Sequence, residues 1–158
     1  MGGKIVDTIP KHIIAVSANV TNEDGETLLV KTHWRSDTWE APGGQVEEGE
    51  PLDKAVCREI LEETGIVISP IGITGVYYNA TKNILSVVFK AKYISGEIKI
   101  QPEEIKEAKF VHLTEENINN YITRPHMKSR IIDCMEAKNF IPYETWEVNP
   151  YNLVGRLL

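Results

Sequence analysis

Apolar positions fall in short runs separated by polar, turn-forming stretches. Ile13-Ile14-Ala15-Val16-Ser17-Ala18-Asn19-Val20 reads as a buried strand. Asn22-Glu23-Asp24-Gly25 is a turn, and 27–31 returns as a second strand, completing a hairpin. A polar loop with aromatics covers 32–37. In Trp39-Glu40-Ala41-Pro42-Gly43-Gly44, the proline and paired glycines predict a tight, specially shaped backbone rather than a regular element. A helix is predicted over 51–64. Pro51 suits the first helical position, Asp53 the first turn, and Gly65 a C-terminal cap. Strands follow at 71–78 and 84–93, joined by a turn over 79–83. Shorter strands are predicted at 96–100 and 108–112, a short helix opening at Thr114-Glu115-Glu116, and a longer helix over 127–138. From Phe140 the tail, rich in proline and aromatics, is expected to be irregular. Mixed strands and helices in one unit give an α+β fold.

At 158 residues the chain suits one domain, 1–158, with 139–158 as a tail. Hydrophobic residues at 42% and charged residues at 25% exclude a wholly disordered chain. No apolar run is long enough to span a bilayer, so no membrane role is expected. Met1-Gly2-Gly3-Lys4-Ile5-Val6 lacks the apolar stretch of a signal peptide, and Val6 stands where a myristoylation signal needs Ser or Thr. A cytoplasmic location is therefore expected. Cys57 and Cys134 form no CxxC pair and read as two reduced thiols with packing roles.

A net charge of −6 argues against binding long nucleic acid, which needs a basic surface. It leaves open a small phosphorylated ligand, provided divalent cations lie between the ligand and the acidic groups. The helix supplies such groups. Spaced at about 100° per residue, Glu59, Glu62 and Glu63 share an arc of roughly 100°. Val56, Cys57, Ile60 and Leu61 occupy an adjacent arc that can face the core. Three carboxylates at i, i+3 and i+4 repel one another, and Arg58 supplies one positive charge. A hard cation such as Mg²⁺ takes oxygen ligands and tolerates a site completed by water and phosphate. Gly43 and Gly44 allow the backbone to approach the same point. A solvated acidic face is the alternative for the three glutamates alone.

The wider spacing weighs against that alternative. Gly44, five residues, Glu50, seven residues and then Arg58-Glu59-Ile60-Leu61-Glu62-Glu63-Thr64-Gly65-Ile66 fill every specified position of the Nudix box over 44–66. A chance match is on the order of one in ten million at average residue frequencies. The chain resembles the Nudix hydrolases (MutT-like) over roughly residues 10–138.

The resemblance implies a Nudix fold, with a mixed sheet between helices and the box as a loop-helix-loop. It implies Mg²⁺- or Mn²⁺-dependent hydrolysis of a nucleoside diphosphate linked to another moiety. The implied metal-binding set is Gly44, Glu59, Glu62 and Glu63. Glu59 either binds metal or accepts the proton of the attacking water, Arg58 orients a carboxylate, and Glu50 braces the loop. A further acid is expected among Glu103, Glu104 and Glu107, with Glu104 preferred. Arg35 is a candidate phosphate contact. Trp34, Tyr77, Tyr78 and Phe89 are candidate base contacts, of which Tyr77 and Phe89 are carried forward as substrate-binding. His33, His112 and His126 show no ligand spacing and receive no role.

Counting from Ile66, Thr81 to Ile84 lack both the proline that marks ADP-ribose hydrolases and the tyrosine of diadenosine polyphosphate hydrolases, so no substrate is singled out. The expected partner is a small nucleoside diphosphate derivative. The tail is a candidate to cover the pocket or to join a homodimer interface. The alternative function is a non-catalytic Nudix-like nucleotide sensor.

Overall fold

Alternation along the first strand assigns the two faces of the sheet. The computed structural model describes residues 9–158, so the readings at Met1 to Val6 lie outside it. In β1 (Ile13–Thr21), Val16, Ala18 and Val20 point to one face. They pack with Leu28 of β2 (Thr27–Thr32) and with Ala55, Val56 and Ile60 of α1 (Leu52–Thr64). Leu29 points to the opposite face, against Met127 and Ile131 of α2 (Pro125–Glu136) and the 3-10 turn Ile118–Asn120. The result is an α+β sandwich of helix, sheet and helix. The remaining strands are β3 (Gly43–Gln45), β4 (Val67–Asn79), β5 (Ile84–Ser95), β6 (Ile105–Val111), β7 (Tyr143–Glu147) and β8 (Asn152–Leu157).

The main sheet runs β4-β5-β1-β2-β6, with β3 also paired to β1. β1 and β5 are parallel from Ile13↔Ile84 to Thr21↔Lys92, which makes the sheet mixed. The predicted β1-β2 hairpin forms, but its strands pair only at Thr21↔Thr27 and then splay. Residues 40–46 fill the gap. Glu40 exchanges two backbone hydrogen bonds with Val30, Ala18 N–H donates to Pro42 O, and Val46 N–H donates to Ile14 O. The Gly43-Gly44 segment, expected to be irregular, is therefore a short strand against Ala15–Ser17. Its glycines are needed for approach. A methyl group at Gly43 would overlap the Val16 carbonyl.

Other boundaries moved for physical reasons. Pro51 is extended (φ −60°, ψ 144°) and precedes α1 instead of opening it. Gly65 closes α1 in the left-handed region (φ 77°), as its position predicts. Leu61 is 50% exposed rather than core-facing. β4 starts at Val67, because its first residues already pair with the end of β5. Pro70 is tolerated because β4 is an edge strand with a register shift there. β6 begins at Ile105, inside the acidic stretch, since Ile105 is buried beside Thr32. Residues 96–100 form no strand. Their neighbourhood serves α1 instead, with Lys99 N–H donating to Thr64 O and Gln101 N–H to Glu63 O. These two donors satisfy carbonyls that the end of a helix leaves free. α2 starts two residues before its predicted position, with Arg124 extended and Pro125 in the first turn. Among the described residues, no helix is long and apolar enough to cross a membrane.

The tail is not irregular. β7 and β8 form an antiparallel hairpin, and Tyr143 and Leu157 pack on the core beneath α1. Ile141 N–H donates to Ile73 O, tying the approach to this hairpin to β4. Leu52 N–H, the first donor of α1, donates to the Tyr143 hydroxyl at 2.9 Å. Replacing Tyr143 by Phe keeps the ring and removes that acceptor. The expected loss is about 1 kcal/mol of stability, seen as a lower denaturation midpoint; an unchanged midpoint would deny the tail this role.

Candidate functional site

The end of β2 lies beside the start of β6, and the two loops there border a cavity of about 420 Å³. Thr32, Trp34 and Arg35 line it from the end of β2 and the loop after it, and Glu104 from the loop before β6. Glu40, Gly43, Gly44 and Gln45 come from the wedge between β1 and β2. Glu59 and Glu63 of α1 complete the lining.

Glu63 is buried at 6% exposure, and its Oε1 accepts the Gly43 N–H at 3.0 Å. Burial pushes its carboxyl up to about 8. The Gly43 N–H opposes the shift, while the charges of Glu59, Glu104 and Glu40 add to it. Burial also raises the Glu59 carboxyl, with Arg58 opposing. Glu59 rests against Gly44, where a methyl group would collide with its carboxylate.

Arg58 is the clamp behind this wall. Its guanidinium donates to Glu50 through Nε at 2.6 Å and Nη2 at 2.9 Å. It also reaches Glu59 at 3.0 Å, Glu62 at 3.3 Å and the Gln45 carbonyl at 3.2 Å. The Glu50 carboxyl is held below its usual range, first by the Arg58 hydrogen bond. Arg35 is likewise bidentate on Glu40, at 2.9 and 2.8 Å. With Arg35 paired to Glu40, Glu59 is the one carboxylate among Glu59, Glu63 and Glu104 that has a side-chain cation within ion-pair distance among the described residues, Arg58 at 3.0 Å.

The structure separates the predicted residues. Gly44, Glu59, Glu63, Glu104 and Arg35 meet at the cavity. Glu62 does not line it, and its side chain is 52% exposed beside Arg58. Among the described residues, no three His, Cys, Asp or Glu side chains are gathered into a ready-made metal cage. The donor chemistry still fits a hard dication. Several carboxylates and the Gly44 backbone border one polar cavity with too little positive charge, and such ions complete their shells with water and phosphate.

Two expectations are overturned. Phe89 is fully buried in the core under α1 and cannot stack on a ligand. Tyr77 does not line the cavity; its ring folds over Gly75, and its hydroxyl donates to Asp133 Oδ2 of α2 at 2.7 Å. Of the other acids, Glu107 lies in β6, 3.9 Å from Lys31. No tail residue lines the cavity.

Sequence reasoning missed Glu40 and His33. Glu40 is carried by the strand-like wedge and buried on Arg35. The isolated acid between Trp39 and Ala41, five residues after Arg35, was the available signal. His33 joins the two loops. Its amide N–H donates to Glu104 O at 3.3 Å, and its Nε2 lies 2.7 Å from Pro102 O.

Lys at position 58 would keep the charge and lose the fork that binds Glu50 at two points. We expect Arg58→Lys to cost about 1.5–3 kcal/mol in chemical denaturation; a wild-type midpoint would show that the clamp does not brace the loop.

The NUDIX domain profile matches residues 11–130. A MutT-like protein of Streptomyces ambofaciens is 42% identical over 89 residues, covering 55% of this chain and 56% of its own. An ADP-ribose pyrophosphatase of Methanocaldococcus jannaschii is 35% identical over 108 residues, covering 65% of this chain and 63% of its own. The chain thus spans little more than half the length of these curated relatives. The crystal structure of a MutT protein from Methanosarcina mazei superposes with a TM-score of 0.65 at 33% identity, covering 81% of this chain and 96% of that one. With the box, the fold and the profile in agreement, the chain belongs to the NUDIX domain family.

Proposed function

We propose that the chain is a divalent-metal-dependent pyrophosphohydrolase. Its substrate is a nucleoside diphosphate linked to another moiety, such as a nucleotide sugar, a nucleoside triphosphate or a dinucleotide. The observation that carries this reading is the convergence of Glu59, Glu63 and Glu104 on one open cavity with too little positive charge to balance them. Burying like charges together is costly unless a cation joins them.

Glu59, Glu63 and the Gly44 carbonyl would hold Mg²⁺ or Mn²⁺, with Glu62 of the same helix as a further donor. When bound, such an ion screens the phosphate oxygens, acidifies a coordinated water and stabilises charge on the leaving phosphate. The chain's own groups do the rest. Arg58 holds the Glu59 carboxylate toward the cavity. Glu59 or Glu104 accepts the proton of the attacking water, a role that needs a carboxylate within hydrogen-bond reach. Arg35 spends Nε and Nη2 on Glu40, which leaves Nη1 for a phosphate oxygen.

Product release across a panel of nucleoside diphosphate derivatives tests the reading. We expect turnover with Mg²⁺ or Mn²⁺ and none in EDTA; full turnover in EDTA would contradict it. Glu62→Gln and Glu63→Gln should each lower kcat at least about a hundredfold. Both should weaken Mn²⁺ binding, measured by water-proton relaxation, with no loss of folding stability. Near-normal rates would remove the metal assignment. Nucleotide binding without turnover on the whole panel would favour a non-catalytic sensor.

A further inference from the structure

We propose that the Trp34 indole is the stacking platform for the substrate's base, making it the residue that selects a nucleoside over other diphosphates. The proposal rests on the phosphate chemistry assigned above to the same cavity.

Trp34 is 58% exposed, yet the backbone on both sides of it is held. His33 is tied to the Glu104 loop through its amide N–H and through Nε2 at Pro102 O. With a carbonyl as partner, Nε2 carries the proton. On the other side, Arg35 N–H donates to Thr32 Oγ1 at 3.1 Å, and the Arg35 guanidinium forks onto Glu40. A large aromatic ring on a clamped backbone is thus left facing water at a cavity wall. Leaving such a ring exposed forgoes its burial energy in the free protein.

No other aromatic side chain lines the cavity among the described residues. Trp39 is occupied, with Lys31 Nζ 4.9 Å and Lys109 Nζ 4.6 Å from its ring centre. Trp146 lies on the tail hairpin, outside the cavity. Tyr77 is tied to Asp133, and Phe89 is buried. The rest of the lining is acidic, polar or small, with Val30 and Ala41 as the other apolar members. A ligand with its phosphates at Glu59, Glu63 and Glu104 meets its one broad flat surface at Trp34. Stacking on an aromatic side chain tolerates any base, because every base presents a π-face.

AMP and ribose 5-phosphate provide the test. They differ by the base alone, and neither has an anhydride to cleave. Both would be titrated into the full chain with Mg²⁺, followed by calorimetry and by the ¹⁵N-indole resonances. Wild type should bind AMP more tightly and shift the Trp34 indole signal with AMP only. Trp34→Ala should weaken AMP binding about tenfold to a hundredfold, leaving ribose 5-phosphate unchanged. Trp34→Phe should stay within about threefold of wild type. Equal affinity of wild type for the two ligands, or equal weakening of both by Trp34→Ala, would overturn the proposal. Absence of turnover on every diphosphate, with the AMP result intact, would instead remove the hydrolase reading and leave the platform standing.

Discussion

The hydrogen bond from the Gly43 N–H to the buried Glu63 carboxylate joins the two parts on which the site depends. One part is a three-residue strand wedged between diverging neighbours, and the other is the last turn of α1. Neither alone presents more than a few polar groups. The bond forms because glycine lets the wedge press edge-on against β1, and because Ala55, Val56 and Ile60 seat the helix on the sheet face formed by Val16, Ala18 and Val20. The carboxylates therefore inherit their placement from the hydrophobic core rather than from a flexible loop.

That placement has an electrostatic cost, which the arginines only partly offset. Arg58 binds the outer carboxylates Glu50, Glu59 and Glu62, while Arg35 binds Glu40. Among the described residues Glu63 has a backbone donor but no side-chain cation, which is why burial and its acidic neighbours push its carboxyl up. A fully neutralised wall would be more stable and would have less attraction for a dication.

The helix and its chemistry were legible from the chain because the box fixes spacing, and spacing along a helix is geometry. The β1-β2 hairpin was legible from alternation around a turn. A helical wheel could not tell that Glu63 goes inward and Leu61 outward, because that choice depends on what the helix docks against. Residues 96–100 alternate like a strand, yet Lys99 and Gln101 give their donors to the end of α1, a long-range competition invisible in a local window. The tail carried its own signal. Two β-prone runs, 143–147 and 152–157, flank the turn-forming Asn149-Pro150, but the three-residue spacing of Tyr143 and Trp146 breaks the alternation, and the strand accommodates it with a register shift at Thr145/Trp146. Phe89 and Tyr77 were misplaced for one reason: an aromatic in a strand does not declare which side of the sheet is filled.

The donors that Lys99 and Gln101 offer to α1 make the stretch from Gly96 to Glu104 behave as a ruler. One end is pinned to the helix and the other to the β2 loop through His33. Adding or deleting a residue there would slide Glu104 past its neighbours, so this connection is a poor place for length drift among descendants of the sequence. The turn over 79–83 does not line the cavity, and its tip, ahead of the Asn83 carbonyl that accepts the Ile13 N–H, can absorb insertions.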